Sequence, residues 1–287
     1  MTATSMITST DPDADTIAED AGSVGRTPWG LRYELRVVAG VWGRETRRFL
    51  RARGQMVGML AQPLLLLVVF GVGVEGVAGA VDQHSYVQYI LPGIIATAVV
   101  NASLSNSSTV VWDREFGFLR EMVVSPASRV SLLAGKLAGS ITSSALQGLF
   151  VLALAPLTGL WPDPGRIVGT IGAILLLAAS SSSIGLLMAV RARSVRDTQG
   201  VLQIVVMPMM LLSGALFPLD QVPAWLRWIG TINPIGWGVD LVRCSLLNGI
   251  GGGDIAVCRQ LAWETTALVV ALVVCLLAAA RRFARTE

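Results

Sequence analysis

Few residues of this sequence are of the types that perform covalent, redox or metal chemistry. The 287 residues include one histidine and three cysteines. The histidine, His84, stands alone, and a lone imidazole in a polar stretch is most simply solvated. The chain contains no H-E-x-x-H, C-x-x-C or G-x-S-x-G motif. Metal-dependent hydrolysis, dithiol exchange and serine catalysis therefore lack their minimum residues, so we predict no catalytic residue and no metal site.

The chain also lacks residues that would supply energy for transport. Its single Gly-Lys pair, Gly135-Lys136, is followed by Leu137 where a phosphate-binding loop needs Ser or Thr. Proton-driven carriers place ionisable groups within the hydrocarbon region. Here only Glu75 and Glu264 fall in long apolar runs, near the run ends, where we expect solvated carboxylates. Energy must then arrive through contact with another protein.

Hydroxyl and amide side chains recur at helical spacing within the apolar runs. They allow helices to pack closely and to hydrogen-bond with each other, which is the favoured interpretation. The alternative is that they line a path for cargo, and an uncharged lining would suit an amphipathic or apolar molecule better than an ion. The candidate cargo-path residues are Asn101, Ser105, Ser108, Ser143, Gln147, Gln199 and Gln203.

The elements that carry these residues are predicted to be membrane-spanning helices. Hydrophobic residues make up 53% of the chain and charged residues only 14%, against about 25% charged in soluble domains. A hydrocarbon core about 30 Å thick needs about 20 helical residues. Six runs satisfy this requirement, at residues 56–77, 85–111, 137–161, 167–190, 198–219 and 261–280.

The basic residues predict the orientation of these runs. Eighteen of the 22 lysines and arginines lie before the first run, between the second and third, between the fourth and fifth, or after the sixth. Because basic loops stay in the cytoplasm, both termini are predicted to be cytoplasmic. Arginines that flank apolar runs, instead of gathering on one polar face, also argue against a nucleic-acid partner.

The residues before the first run divide into two parts. Residues 1–28 form an acidic tail that we expect to be disordered, and residues 54–287 form the transmembrane domain. Residues 29–53 between them read as an amphipathic helix, for which a position on the membrane lipid is favoured over packing on a soluble partner. The candidate interface residues are Leu31, Leu35, Trp42 and Phe49 on the apolar side and Arg44, Arg47 and Arg48 on the basic side.

Between the second and third runs, charged residues alternate with large apolar ones. The segment predicts a short helix that ends before Pro126. Such an alternation suits a docking surface for a partner protein; a solvated turn with a few lipid-facing side chains remains the alternative. The candidate docking residues are Asp113, Arg114, Glu115, Phe116, Phe118, Leu119, Arg120 and Glu121.

The stretch 220–260, between the fifth and sixth runs, is rich in tryptophan and is interrupted by Pro223, Pro234 and a glycine cluster. Apolar pieces of about ten residues suit short re-entrant or interfacial helices. Cys244 and Cys258 both lie in this stretch. An oxidising environment would permit a disulfide between them, and their spacing leaves the question open.

Several short motifs together resemble the ABC-2 type exporter permeases, most of all the subgroup of daunorubicin-resistance and nodulation-factor export permeases. The resemblance runs from about residue 29 to the C-terminus. The motifs that carry it are Leu91-Pro92-Gly93, Arg114-Glu115, Ser125-Pro126-Ala127-Ser128-Arg129, Gly135-Lys136, Phe217-Pro218-Leu219, Pro223-Ala224-Trp225-Leu226, Asn233-Pro234 and Asp240-Leu241-Val242-Arg243.

The resemblance implies roles for three segments. Residues 29–53 would be an interface helix, residues 113–124 a coupling helix that docks on a separate ATPase subunit, and residues 220–250 two re-entrant extracellular helices. Glu115 would be the acidic contact of the coupling helix, with Phe118 and Leu119 as apolar contacts. Phe118 stands where the family often has threonine, which puts the detailed docking geometry in doubt.

The resemblance also implies an assembly of two permease subunits, identical or related, with two ATPase subunits that carry ATP and Mg. This chain itself would bind no cofactor and would lie in the bacterial cell (inner) membrane. The function it implies is export of a drug, lipid or glycolipid. The alternatives are an autonomous secondary carrier or channel, and a membrane scaffold that transports nothing.

Overall fold

The computed structural model of the chain describes residues 31–77, 83–115, 128–161, 163–192, 194–196, 200, 204, 206–215, 223–247 and 261–285. Within these ranges all regular secondary structure is helical. The helices are α1 (Leu31–Arg51), α2 (Arg53–Val77), α3 (Gln83–Glu115), α4 (Arg129–Ala153), α5 (Pro164–Arg191), α6 (Met207–Leu211), α7 (Ala224–Ile232), α8 (Pro234–Leu247) and α9 (Leu261–Arg285), with a 3-10 turn at Ala155–Thr158 after α4.

Four of the described helices are long and apolar enough to cross a membrane. They lie in α3, α4, α5 and α9, at the second, third, fourth and sixth predicted runs. The helix pair α1 and α2, bent by 75°, would raise the number to five if it crosses as one broken span. Of the fifth predicted run, 198–219, the described residues contain α6 and a turn at Gly214. The chain is therefore a multi-pass membrane protein, and its described residues form an all-α fold.

Two helices extend further than the apolar runs predict. α3 continues to Glu115 and α4 begins at Arg129, so Asp113 and Lys136 both lie within long helices. The extra turns are stabilised by polar contacts: Ser128 caps α4 by accepting a hydrogen bond from the Ser131 amide, and Lys136 pairs with Asp113. Runs chosen for apolar residues alone leave out the charged turns at the helix ends. The second run therefore ends before α3 does, and the third run begins after the start of α4.

α3 occupies the centre of the bundle. Its buried residues Leu91, Ile95 and Val99 pack with α4, α5 and α8 in one apolar core. Glycines allow the closest approaches: a Cβ on Gly93 would lie 2.2 Å from the carbonyl oxygen of Ala215, in the turn after α6. Gly93 is therefore required by packing, since any side chain there would overlap the backbone.

The stretch 223–247 folds as two short helices that break at the predicted prolines. α7 follows Pro223 and α8 starts at Pro234. Asn233 holds the break, because its Oδ1 accepts from the Ile235 amide at 3.0 Å and its Nδ2 donates to the Met209 carbonyl at 2.5 Å. Cys244, on α8, is disulfide-bonded; Cys258 lies outside the described residues.

One expectation about this end of the bundle was wrong. Glu264 was expected to be solvated, but it is only 4% exposed, and its Oε2 has no hydrogen-bond partner within the described ranges. α8 covers the first turn of α9, where Trp237 and Trp263 meet edge to face at 5.4 Å between ring centroids. The sequence shows that Glu264 lies near the end of an apolar run, but it does not show that α8 packs over it. Glu75 has no described side chain.

Candidate functional site

α1 lies across α4 at two glycines one helical turn apart. A Cβ on Gly135 would stand 2.6 Å from the Cβ of Val41, and one on Gly139 would stand 2.6 Å from the Cβ of Glu45. Small residues four apart are the pattern that lets two helices approach to backbone distance. The approach brings the polar groups of α1 within reach of α3 and α4.

The face of α1 that packs on α4 differs from the predicted apolar side. Leu35 and Trp42 are exposed, although the Trp42 indole donates to Thr142 Oγ1 at 2.9 Å. The packed face instead carries Glu34, Val38, Val41 and Glu45, spaced four, three and four residues apart. The basic side is exposed at Arg47 and Arg48 and half-buried at Arg44, while the side chain of Leu31 lies outside the described residues.

A cluster of five charged residues joins α1, α3 and α4. Its central cation is Lys136, whose side chain is only 5% exposed and whose Nζ donates to the Asp113 carboxylate. The same Nζ lies 3.9 Å from Glu45 Oε1, and Glu45 also meets Arg44 at 3.0 Å and Arg48 at 4.0 Å. A buried charge needs such partners. We call Arg44, Glu45, Arg48, Asp113 and Lys136 the Lys136 cluster.

A second contact joins α1 to the start of α4. Glu34 Oε2 accepts hydrogen bonds from the Ser128 hydroxyl at 2.7 Å and from the Ser131 hydroxyl. These two bonds hold the pKa of Glu34 below its ordinary value, so the carboxylate is ionised at neutral pH. Their contribution to stability is present above the ordinary pKa and is lost in acid, as the pH falls through the lowered pKa.

The alanine variant of Ser128 tests this second contact. Ser128→Ala removes both the cap of α4 and one partner of Glu34, and we expect it to lower the free energy of unfolding by about 1 kcal/mol. Cleavage by trypsin after Arg129 should become faster in the detergent-solubilised protein. Ser245→Ala is the matched control, because that hydroxyl donates only to carbonyls of its own helix. Equal cleavage of the two variants would contradict the prediction.

Only part of the predicted docking segment is described. Asp113, Arg114 and Glu115 form the last turn of α3, and of these only Asp113 has a described side chain. Phe116, Phe118, Leu119, Arg120 and Glu121 lie outside the described residues. The contacts of α1 thus lie near both ends of segment 116–127: Glu34 accepts from Ser128 after it, and Glu45 is linked to Asp113 before it through Lys136.

Two polar cavities follow the predicted polar stripe of α3. The first, of about 410 Å³, lies between α1, α3, α4 and α5 and contains Ser105, Ser108 and Ser143; we call it the Lys136 cavity. The second, of about 350 Å³, lies between α2, α3 and α4 and contains Asn101, Ser105 and Gln147; we call it the Gln62 cavity. Ser105 lines both. Five of the seven candidate cargo-path residues are thus brought together, and Gln199 and Gln203 lie outside the described residues.

Another polar cluster lies at the opposite end of α3. The Arg243 guanidinium sits 4.2 Å from the centroid of the Tyr89 ring, donates to the Gly214 carbonyl at 2.9 Å and meets Asp240 at 3.4 Å. Tyr89 and Asp113 are 24 residues apart on one helix, or about 36 Å. The two clusters are thus separated by about the thickness of a bilayer.

Comparison with known proteins decides the family. The sequence model of the ABC-2 type transporter family matches residues 37–247. This chain belongs to that family. The matched region includes both polar clusters, the two cavities and most of α1.

Individual relatives agree with this assignment. The putative transport permease ycf38 of Cyanophora paradoxa is 27% identical over 66% of this chain and 66% of its own length. Nodulation protein J of Rhizobium leguminosarum bv. viciae and the inner membrane transport permease YadH of Escherichia coli are each 26% identical over 72% of this chain and 81% of their own length. The predicted likeness to ABC-2 permeases of the nodulation-export subgroup is confirmed, and the chain is a transport permease.

Sequence reasoning missed three charged residues of this permease. Lys136 was counted as a loop residue, and Glu34 and Glu45 were not singled out. The sequence does contain a signal for the two glutamates, because they are the only acidic residues of α1. They are eleven residues apart, about three helical turns, so they lie on one face of the helix with Val38 and Val41. Val41 and Glu45 on that face are four residues apart, which is also the separation of Gly135 and Gly139, the glycines of α4 that they contact.

Proposed function

We propose that this permease is the membrane-spanning subunit of an ATP-driven exporter in the cell inner membrane. It works with two ATPase subunits, which carry the ATP and Mg, and with a second permease subunit that is identical or related. The chain crosses the membrane six times, with both termini and the α1 interface helix on the cytoplasmic side. The distribution of lysine and arginine supports this orientation.

One observation carries the proposal: contacts with α1 and α4 together hold the residues on both sides of segment 116–127. Before the segment, Asp113 at the end of α3 pairs with Lys136 of α4, whose Nζ lies 3.9 Å from Glu45 of α1. After the segment, Ser128 and Ser131 at the start of α4 donate to Glu34 of α1. A segment anchored at both ends transmits a push instead of absorbing it. The residues proposed to receive the push are 113–124.

The proposed mechanism is a rigid-body movement that needs no catalytic residue in this chain. Nucleotide-driven movement of the ATPase subunits displaces segment 113–124. The Lys136 cluster passes the displacement to α1, α3 and α4 together, because the buried charges of Glu45, Asp113 and Lys136 would lose partners if these helices moved apart. A change in the tilt of the two permease subunits then opens a path between them.

The cargo proposed for this path is amphipathic or apolar. The polar stripe that lines the two cavities consists of hydroxyl and amide side chains, which form hydrogen bonds with a polar group and carry no charge for an ion. Export of a drug, a lipid or a glycolipid fits such a path.

The test is whether changes in segment 113–124 abolish export and binding of the ATPase while the permease itself stays in the membrane. Glu115→Arg, and separately the double change Phe118→Asp and Leu119→Asp, should abolish ATP-dependent export and co-purification with the ATPase while the chain stays in the membrane. Leu157→Asp is the matched control, because Leu157 is exposed in the 3-10 turn after α4, far along the chain from segment 113–124, and it should co-purify normally. Unaltered export by both coupling variants, or export by vesicles free of any ATPase, would overturn the proposal.

A further inference from the structure

Three carboxamide side chains line the Gln62 cavity, and each comes from a different helix. Gln62 belongs to α2, Asn101 to α3 and Gln147 to α4. Asn101 is twelve residues from Tyr89 and twelve from Asp113, which is about 18 Å from each along α3. Because Tyr89 and Asp113 lie in the two clusters that are separated by about a bilayer thickness, the cavity lies near the middle of the hydrocarbon region.

These three carboxamides make no hydrogen bond to any described residue. Gln147 is only 5% exposed, and buried polar side chains nearly always have a partner. Asn106 shows the contrast, because its Nδ2 donates to Ser143 Oγ at 2.7 Å. Where a carboxamide serves helix packing, the chain supplies its partner. The carboxamides of the Gln62 cavity instead have donors and acceptors left for a ligand.

The chemistry of the lining favours a neutral ligand. The described residues of the lining include no charged side chain, and a charged ligand at this depth would need a countercharge. A carboxamide donates from its nitrogen and accepts at its oxygen. A ligand that only accepts would leave the carboxamide oxygens without partners, and a ligand that only donates would leave the nitrogens without them. The matching group is neutral and does both.

A secondary amide meets this requirement across the width of the cavity. Its N–H and C=O are held in one plane and point in opposite directions in the trans form. One ligand amide can therefore donate to a carboxamide on one helix and accept from a carboxamide on another. A hydroxyl carries both functions on one oxygen and spans a shorter distance. An amide also pays heavily for entering hydrocarbon without hydrogen bonds, so a path at this depth must supply them.

The cavity is accessible and has room for apolar groups beside the amide. Gly58, Gln62 and Ser105 line it and are exposed, so a ligand can enter from the surface of the bundle. Pro63 and Leu66 add apolar surface to the lining. The volume of about 350 Å³ lies in the range of about 300–1,000 Å³ that is common for small-molecule sites.

We infer that the Gln62 cavity binds the cargo through a neutral secondary amide, as in a fatty amide or a peptide bond. The inference rests on the proposed export function, whose cargo class it narrows. The ligand N–H donates to the oxygen of one carboxamide, and the ligand C=O accepts from the nitrogen of another. Gln147, the most deeply buried of the three, makes one of these two bonds. Apolar groups of the ligand lie against Pro63 and Leu66.

Binding is tested with the purified chain in phosphatidylcholine vesicles, without ATPase or ATP. A Gly58→Cys, Cys275→Ala variant is labelled with a fluorescent maleimide, and Cys275→Ala alone gives the background. The new side chain has open space, since nothing lies within 4 Å of the position of a Cβ on Gly58. The compounds are N-octylacetamide, N-methyl-N-octylacetamide, octyl acetate and octanol, at equal concentrations in the membrane. We expect N-octylacetamide to slow labelling at least fivefold and the other three, which lack a secondary amide, to slow it less than twofold.

Gly54→Cys is the matched control for the labelled position. Gly54 is exposed one turn earlier on α2, its Cβ would also have open space, and it lines neither cavity. None of the four compounds should protect it. A Gly58→Cys chain that is unreactive before any compound is added, while Gly54→Cys reacts, would mean that another subunit closes the cavity, and would overturn the inference.

Replacing Gln147 separates ligand binding from helix packing. Adding Gln147→Met to the Gly58→Cys chain should raise the N-octylacetamide concentration for half-protection about threefold to tenfold, as expected for one lost hydrogen bond. Asn106→Leu removes a carboxamide that lies outside this cavity and should leave that concentration unchanged. Without any compound, Gln147→Met should unfold at the parent temperature or above it, because no bond within the described part of the chain is lost. A lower unfolding temperature would show that Gln147 holds helices together instead.

Equal protection by octyl acetate, by N-methyl-N-octylacetamide or by octanol would also overturn the inference, as would no protection at all. Failure here is distinguishable from failure of the export function. Missing protection with intact ATP-dependent export removes only the amide site, whereas amide-specific protection in a chain that never requires an ATPase removes only the exporter proposal.

Discussion

Replacing Lys136 with methionine should lower the free energy of unfolding by about 3–5 kcal/mol, the range for a buried ion pair that loses one partner. The Lys136 side chain is 5% exposed, and the variant leaves the carboxylates of Asp113 and Glu45 with little solvent access. Methionine preserves most of the volume, so the loss reports on charge and not on a cavity. Thermal unfolding of the detergent-solubilised protein measures the change.

Three further variants isolate the buried charge. Lys136→Arg keeps the cation and should recover much of the stability. Arg48→Met removes an exposed cation of the same cluster, and we expect a loss of no more than about 1 kcal/mol. Combining Lys136→Met with Asp113→Leu removes both partners and should be less damaging than the single change. A single Lys136→Met variant that unfolds at the wild-type temperature would disprove the role of the cluster.

The polar stripe of α3 could be predicted from the sequence because it is a local pattern. Asn101, Ser105 and Ser108 recur at the spacing of one helix face, and the structure places all three beside cavities. The breaks at Pro223 and Pro234 were predictable for the same reason, since proline acts on its own turn.

The Lys136 cluster could not be predicted in this way. Lys136 and Glu45 are 91 residues apart, and only tertiary packing brings their side chains together. A single lysine beside an apolar run reads as a membrane-flanking charge. The face of α1 that packs on α4 was equally hard to predict. The strongest apolar stripe of α1, with Leu35 and Trp42, is exposed, and the packed face is instead determined by glycines on α4.

A single methyl group at Gly135 should detach α1. In Gly135→Ala the new Cβ would lie 2.6 Å from the Val41 Cβ, 2.9 Å from its Cγ1 and 3.0 Å from the Val38 carbonyl oxygen. These neighbours are at or next to the backbone, so α1 itself must shift, and overpacking of this kind costs about 1–3 kcal/mol. A shift of α1 also draws Glu45 away from Lys136. The arginines of α1 should then become sites of rapid trypsin cleavage.

Gly172→Ala provides the matched control. Gly172 lies inside α5 with nothing within 4 Å of the position its Cβ would take, so the same change should raise stability by about 0.5–1 kcal/mol through helix propensity. The two substitutions are chemically identical, and a difference in sign can only come from what surrounds each glycine. If Gly135→Ala proved as stable and as resistant to trypsin as Gly172→Ala, α1 would not be held against α4 at this glycine. The contacts of Glu34 and Glu45 would then not suffice to anchor segment 116–127.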